Sequence, residues 1–323
     1  MTKNNFSRKI YTKNEHHLGD NIFCCIMFDK IKDHIEKNNI YVNHYCTPDN
    51  IEQISEFITT KNIKLFPLDE IPKNEKIIDL WIGSGEYDYN YFSPTEPYND
   101  FLLKFYNNIL KKIDIPIKIE DFSFDNQELL DREKKINERT QNKYKNFDFL
   151  FMNGAPRSGQ MNYDEKEWDD IIKRFSEKYN IITTKKIEGI KCTRDDNLTA
   201  RDISAISKNA KKIIAIDSGI GAGLFNKHVI NNVESVYYLC ENDKCMCSFP
   251  NFIFKRNISD MLFLLDDDKQ LIESMIDKMP SNNFYIFNST LIILVAIVLI
   301  LRYYKSFTKK IYNTMCKLFR RFI

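Results

Sequence analysis

The fold is decided by one stretch of the sequence: His16-His17-Leu18-Gly19-Asp20-Asn21-Ile22-Phe23-Cys24-Cys25-Ile26-Met27-Phe28-Asp29-Lys30. Gly19 permits a tight turn, and Asp20 stands where a helix cap or a first-turn acid belongs. The apolar residues that follow are spaced to form one buried helical face: Ile22, Phe23, Ile26 and Met27. With strands predicted at Lys9–Thr12 and Ile40–Tyr45, this is a β-α-β unit. It places Gly19 and Asp20 at the carboxyl end of a strand, the edge of an open α/β sheet where ligands bind.

The alternation of strands and helices continues along the chain. In the first half it predicts helices at 51–60 and 101–113 and strands at 63–66 and 76–82, the last running into Gly83-Ser84-Gly85. After a charged helix and linker at 120–146, the second half predicts strands at 147–152, 181–184, 212–216, 233–240 and 252–254, with helices at 163–179 and 198–209. Such alternation is typical of parallel sheets flanked by helices. The predicted fold is therefore α/β, with Rossmann-like domains at 1–145 and 146–280.

Charge and cysteine content exclude several classes of protein. The net charge is only +2, and the last 22 residues hold seven lysines and arginines without an acid. The body is therefore slightly acidic, which argues against nucleic-acid binding. The eight cysteines are irregularly spaced, as expected of reduced thiols. Cys240, Cys245 and Cys247 lack a convincing fourth ligand, and Asp266-Asp267-Asp268 is interpreted as a helix cap, so no metal site is predicted.

Two motifs together resemble those of GT-B glycosyltransferases, specifically the heptosyltransferase-like family 9. They are Gly19-Asp20 after the first strand and Asp217-Ser218-Gly219 after a later one; Asn153-Gly154-Ala155 also looks like the strand-end loop that opens the family's second domain. The resemblance spans roughly residues 8 to 255. It implies two Rossmann-like domains facing one cleft, a nucleotide-sugar donor and no metal. The family usually carries a His where this chain has Ala222, and Arg157 or Lys227 could supply positive charge instead.

The resemblance implies that Asp20 is the catalytic base, since sugar transfer requires removal of a proton from the acceptor hydroxyl. A plain helix cap is an equally good interpretation. For the donor phosphates the candidates are Arg157, Asp217, Ser218, Gly219, Gly221 and Gly223; a tight turn without a ligand is the alternative. On the acceptor side the candidates are His17, Gly19, Gly83, Ser84 and Gly85. His16 and His17 could contact acceptor or phosphate, although surface histidines are the simpler interpretation.

The C-terminal region predicts a membrane anchor. Residues 284–301 form an 18-residue run without charge. As a helix it would be about 27 Å long, close to the hydrocarbon thickness of a bilayer. We predict a single transmembrane helix at 281–304 and a basic amphipathic tail at 305–323 that binds anionic lipid. The basic tail favours a cytosolic C-terminus, but no signal peptide precedes the large domain. We therefore expect the large domain in the cytosol.

Three functions stay open on the sequence alone. The first is a membrane-anchored glycosyltransferase that moves a sugar from a nucleotide-sugar to the hydroxyl of an unknown glycan, lipid or protein. The second is a catalytically inactive relative with a binding role, which Ala222 favours. The third is a structural membrane protein, for example of a virus particle, which would not bind nucleotide.

Overall fold

The computed structural model describes residues 7–85, 97–124, 127–156, 163–240 and 249–255, together with Ile258 and Met261. In the first half the elements are β1 (Arg8–Asn14), α1 (Leu18–Lys37), β2 (Ile40–Cys46), α2 (Pro48–Ser55), β3 (Ile63–Pro67), β4 (Ile77–Asp79) and α3 (Tyr98–Lys112). The second half contains α4 (Gln127–Arg139), β5 (Phe147–Met152), α5 (Glu165–Ser176), β6 (Ile181–Thr183), α6 (Ala200–Ile206), β7 (Ala210–Ile216), α7 (Lys227–Asn232), β8 (Ser235–Leu239) and β9 (Phe252–Lys255). Short 3-10 helices lie at Leu68–Glu70, Thr193–Asp196, Ser207–Asn209 and Gly219–Leu224.

The first sheet has the strand order β3-β2-β1-β4, with every pair parallel. The central strand β1 pairs Tyr11 with Asn43 of β2 and with Ile77 of β4. From β1 the chain first builds β2 and β3 to one side and then returns to place β4 on the other. Strand order therefore reverses between β1 and β4, and their carboxyl ends flank a crevice of the kind that binds ligands in such sheets.

The second sheet has the order β6-β5-β7-β8-β9 and is also parallel throughout. Its central strands are nearly continuous apolar runs, as expected where helices cover both faces. Here the order reverses between β5 and β7, which pair Leu150 with Ile213. The predicted α/β class with two parallel sheets is confirmed, and it fits a GT-B arrangement.

The two sheets are not separate bodies. The described residues all belong to one compact unit, and a single hydrophobic core joins side chains from both halves. A second, smaller core around Trp168 covers part of the second sheet. The chain crosses between the halves at Phe124, whose N–H donates to the carbonyl oxygen of Phe225 at 2.7 Å and whose carbonyl oxygen accepts from Lys227 N–H at 3.0 Å. The division into domains at residue 145 stays a prediction.

An ion cluster, formed by Glu56, Glu128, Arg132, Arg201 and Asp202, lies where α2, α4 and α6 meet. Arg132 bonds to Glu56 at 2.8 Å, Glu128 at 2.6 Å and Asp202 at 2.9 Å. The Arg201 side chain is fully buried and pairs with Glu128 at 2.7 Å. It also lies over the rings of Phe57 and Phe124, about 5 Å from each centroid. Burial alone would raise the pKa of Glu128, but Arg201 and Arg132 outweigh it and lower this pKa.

Some predicted boundaries were wrong. The helix expected at 51–60 is Pro48–Ser55, because Pro48 at its first position starts it earlier. The strand expected at 76–82 is only Ile77–Asp79. It ends there because the Asp79 carboxylate accepts the Trp81 N–H at 2.9 Å and a turn follows, with Ser84 N–H bonded to the Trp81 carbonyl oxygen at 3.0 Å.

The predicted membrane helix at 281–304 and the tail at 305–323 lie outside the described residues. Within the part of the chain that is described, no helix combines the length and the apolar character needed to cross a bilayer.

Candidate functional site

The carboxyl ends of the two sheets meet where the first turn of α1 touches the 3-10 helix Gly219–Leu224, which we name the glycine turn. A Cβ atom on Gly19 would lie 3.2 Å from the Gly219 Cα atom. One on Gly219 would lie 2.8 Å from the Leu18 Cβ atom and 3.1 Å from the Gly19 nitrogen. The two backbones are therefore in van der Waals contact that only glycines allow. The structure thus brings together the two motifs on which the family resemblance rests.

Asp20 lies in the first turn of α1, not at its cap. The cap is His17, whose side chain makes no capping hydrogen bond. Asp20 is half-buried. Burial raises the pKa of its carboxyl above the ordinary value, although the charges of His16 and His17 and nearby backbone N–H groups act in the opposite direction. A carboxylate with a raised pKa is a stronger base than an exposed one, which suits proton removal from a hydroxyl.

A buried hydrogen-bond network, which the sequence analysis missed, fixes the loop that carries these groups. His44 of β2 is fully buried. Its Nδ1 atom is 2.9 Å from the Thr12 hydroxyl, and its Nε2 atom is 3.1 Å from the Asn21 side-chain oxygen. The Asn21 amide nitrogen donates to the carbonyl oxygens of His16 at 3.2 Å and His17 at 3.1 Å. Because Asn21 thereby presents its oxygen to His44, the imidazole proton is on Nε2 and Thr12 donates to Nδ1.

Burial lowers the pKa of His44 to about 3, from an ordinary value of 6.5. The unfolded chain therefore binds one proton more than the folded chain between these values, and stability falls as the pH falls below 6.5. The slope is about 1.4 kcal/mol per pH unit. We expect urea unfolding between pH 6.5 and 5 to show a loss from this residue of about 2 kcal/mol that His44→Gln removes. An unchanged slope in the variant would show that His44 charges in the folded state.

The acceptor-side candidates lie at the crevice of the first sheet. His16 is not a free surface residue: its ring stacks on Trp81, with centroids 3.8 Å apart and planes inclined by 25°. Gly83 is packed under the same ring, since a Cβ there would lie 2.1 Å from a Trp81 ring carbon. Ser84 is half-buried beside it, whereas His17 and Gly85 are exposed. Trp81 was missed from the sequence, although it lies only two residues before Gly83.

Packing explains each glycine of the glycine turn. Besides Gly219, a Cβ on Gly221 would lie 2.8 Å from the Tyr238 hydroxyl oxygen, and one on Gly223 would lie 3.2 Å from the Ser204 Cβ atom. The helix that was expected to open here is a six-residue 3-10 helix. The interpretation as a tight turn therefore suffices to account for these glycines, and their role toward phosphate stays a prediction.

The residues around the glycine turn are held by specific contacts. Asp217 accepts a hydrogen bond from the Tyr238 hydroxyl at 3.1 Å. Ser218 is the cap of the 3-10 helix and makes no side-chain capping bond. Ala222 is buried, at 2% exposure. Lys227 forms an ion pair with Asp121 at 3.5 Å.

Substitution at Gly219 tests the contact between the two sheets. Gly219→Ala forces the first turn of α1 away from the glycine turn, and we expect a loss of about 1–3 kcal/mol in the free energy of unfolding. Gly154→Ala is the matched control, because a Cβ there meets nothing within 4 Å. Neither glycine has positive φ, so any difference in urea unfolding reports the contact alone. Equal stability of the two variants would contradict the observed packing.

The remaining candidates are not brought together by the described residues. Arg157 lies outside them, as do Cys245, Cys247 and Asp266–Asp268. In the described ranges, no group of three His, Cys, Asp or Glu side chains is placed to hold a metal ion. Asn153 is fully buried and binds the chain after β6, accepting N–H bonds from Thr184 and Lys185 at 3.1 and 2.8 Å.

No family model matches the chain, and no curated protein matches it by sequence. Solved structures to which it is similar include a glycosyl transferase family 9 protein from Veillonella parvula DSM 2008, at 9% identity and a TM-score of 0.47, covering 86% of this chain and 98% of the other. E. coli heptosyltransferase WaaC with ADP-2-deoxy-2-fluoro heptose has 10% identity and a TM-score of 0.49, covering 82% and 99%. E. coli ADP-heptose lps heptosyltransferase II has 8% identity and a TM-score of 0.39, covering 77% and 91%.

The neighbours are glycosyltransferases, and two of them are heptosyltransferases. Only about one residue in ten is identical, so the ligands and reactions of those proteins are stated here of those proteins alone. The function of this chain has to follow from its own residues.

Proposed function

We propose that this chain is a GT-B glycosyltransferase that moves a sugar from a nucleotide-sugar donor to an acceptor hydroxyl. One observation carries the proposal. The backbone beside the half-buried Asp20, at the switch point of the first sheet, contacts the glycine turn at the switch point of the second. Ligands of parallel sheets bind at such points. A ligand spanning the junction would place one part beside a carboxylate base and the other beside the second sheet.

In the proposed reaction, Asp20 takes the proton of the acceptor hydroxyl. The acceptor oxygen forms a bond to the anomeric carbon of the donor sugar while the bond from that carbon to the nucleoside diphosphate breaks. The proton ends on Asp20 and the electron pair on the departing phosphate. We assign phosphate contacts to Arg157, Asp217 and Ser218 and to the backbone of Gly219, Gly221 and Gly223. Arg157 would neutralise the negative charge, and backbone N–H groups would donate hydrogen bonds to the developing oxyanion.

We further propose that transfer needs no metal ion and that residues 281–304 anchor the protein in a membrane. The uncharged run at 284–301 and the basic tail support the anchor. With the large domain in the cytosol, donor sugars would come from the cytosolic nucleotide-sugar pool. Full activity in the presence of EDTA and recovery of the full chain in the membrane fraction are the expected results. Loss of activity in EDTA or recovery in the soluble fraction would contradict them.

The test of the activity is a thermal-shift screen of the detergent-purified full chain against ADP-, UDP-, GDP- and CMP-sugars. A donor at a hundred times its Kd stabilises the folded state by about 2.7 kcal/mol. We expect one nucleotide class to raise the melting temperature, and the same class to release free nucleotide on incubation with acceptor. Absence of both effects for all donors would overturn the proposal.

A binding protein without turnover is the second candidate. It is favoured by the glycine turn, in which packing alone accounts for Gly219, Gly221 and Gly223. This function predicts a thermal shift with a nucleotide-sugar but no nucleotide release with any acceptor. The same screen therefore separates the two functions.

A further inference from the structure

His16, which stacks on Trp81, is also held by several hydrogen bonds of its backbone. The His16 N–H donates to the Asn14 side-chain oxygen at 3.1 Å. The His16 carbonyl oxygen accepts from Asn21 at 3.2 Å and from Asn50 at 3.3 Å. With its ring 3.8 Å from that of Trp81, His16 is fixed through both its backbone and its side chain. Such fixation is useful where a side chain must hold one orientation toward a ligand.

The polar atoms of this pair are not used within the described part of the chain. Among the described residues, neither imidazole nitrogen of His16 has a hydrogen-bond partner. The indole N–H of Trp81 has none there either. Both side chains are half-buried. An indole N–H in such a position usually finds a partner. Two rigid hydrogen-bonding groups therefore point to a ligand with oxygen atoms at the crevice between β1 and β4.

The charges around the crevice indicate what kind of ligand fits. Lys13 is engaged by two carboxylates, Asp79 at 3.2 Å and Glu15 at 3.7 Å. Asp20 is a further carboxyl group after the carboxyl end of β1, and it interacts electrostatically with His16 and His17. An anionic ligand would be repelled by these carboxylates, because the residues named here include no lysine or arginine besides Lys13 to offset them. A neutral, hydroxyl-rich ligand meets no such penalty and can bond to imidazole and indole alike.

We propose that His16 and Trp81 form the acceptor subsite and that the acceptor is a neutral sugar, hydrogen-bonded by the imidazole and the indole N–H and presenting a hydroxyl to Asp20. This inference rests on the proposed transferase function, whose acceptor it specifies. It replaces the glycan, lipid or protein left open by the sequence with one chemical class.

Trp81 itself reports the binding. The chain has only two tryptophans, and Trp168 is 1% exposed in the second core. In the full-length Trp168→Phe variant, Trp81 is the only indole. Its fluorescence is titrated with the methyl glycosides of glucose, galactose, mannose and N-acetylglucosamine, and with the 6-phosphate and uronate of each sugar that has them. We expect a saturable change with a neutral glycoside and at least tenfold weaker binding of its charged counterpart.

His16→Ala in the same background should weaken binding of that glycoside about tenfold, the usual effect of one lost hydrogen bond with its contacts. No response to any neutral glycoside would overturn the subsite. Tighter binding of the charged sugars, or unchanged affinity in His16→Ala, would do the same.

Gly83→Ala disturbs the pair without removing either side chain, because the new Cβ would lie 2.1 Å from the Trp81 ring. We expect shifted Trp81 emission and loss of glycoside binding. Gly154→Ala, whose Cβ meets nothing within 4 Å, should keep both. Binding of the glycoside by Gly83→Ala with wild-type affinity would show that the ring position does not matter and would overturn the subsite.

The glycoside titration needs no turnover, so its outcome is separate from that of the nucleotide-sugar screen. Glycoside binding without nucleotide release keeps the subsite and removes the transferase. Nucleotide release with an acceptor, but without a Trp81 response to neutral glycosides, keeps the transferase and removes the subsite.

Discussion

Exchange of Asp20 for Asn is expected to lower the rate of sugar transfer by roughly 10²–10⁴-fold, the usual contribution of a general base. Asn keeps the size and polarity of the side chain but cannot accept the proton. The Kd of the donor should change little, because Asp20 lies in α1 of the first half and the donor contacts are assigned to the second half. The measurement pairs nucleotide release with a thermal-shift titration of the donor.

Glu15→Gln is the matched control. It removes a neighbouring, exposed carboxylate whose ion pair with Lys13 is long, at 3.7 Å, and it should leave the rate within a few-fold of the wild type. An unchanged rate for Asp20→Asn would leave Asp20 as a first-turn acid that only stabilises the helix.

The pH dependence of transfer is an independent test of Asp20 as the base. Because burial raises the pKa of Asp20, the base is lost by protonation at a higher pH than for an exposed carboxyl, whose pKa is about 4. The rate should therefore rise with pH through that raised value and then level off. If the rate of Asp20→Asn falls at low pH in the same way as that of the wild type, the titrating group is a different residue.

The second large effect is expected at the ion cluster. Glu128→Gln removes the carboxylate that pairs with the fully buried guanidinium of Arg201 at 2.7 Å. Loss of one partner of a buried pair costs about 3–5 kcal/mol, since a charge is left without compensation. We expect the free energy of unfolding, measured in urea, to fall by about 3 kcal/mol. This value is at the lower end of that range because the Glu128 side chain is 35% exposed.

The double variant Glu128→Gln/Arg201→Met provides the control. It removes both charges, and the Met side chain keeps apolar contact with Phe57 and Phe124. It should therefore recover much of the lost stability. A double variant as unstable as the sum of the single variants would show that packing, and not charge compensation, explains the effect.

The sequence predicts the local features of this protein well. Strand β5 has the predicted bounds, Phe147–Met152, because an apolar run between polar segments defines it. Thr199 caps α6 and accepts the Asp202 N–H at 3.2 Å, as expected of a threonine at the start of a predicted helix. Both features depend on the local preferences of neighbouring residues, which can be read from the sequence alone.

Features that depend on distant residues could not be predicted in the same way. The His44 network joins β2 to α1 across 23 residues, and nothing in the alternation of β2 marks His44 as different from a core residue. The two motifs predict that Gly19 and Gly219 lie at strand ends that face one cleft, but they do not predict that the two backbones touch. The stack of His16 on Trp81 was missed because periodicity does not describe loops.

The crossing at Phe124 has a consequence for synthesis of the protein. Its backbone partners, Phe225 and Lys227, are translated about a hundred residues later. At synthesis rates of about 5–20 residues per second, this delay lasts roughly 5–20 s. Throughout it, the nascent first half exposes apolar side chains that the finished protein buries, and chaperones and proteases can reach them. The ribosome must pass Lys227 before both hydrogen bonds of Phe124 can form.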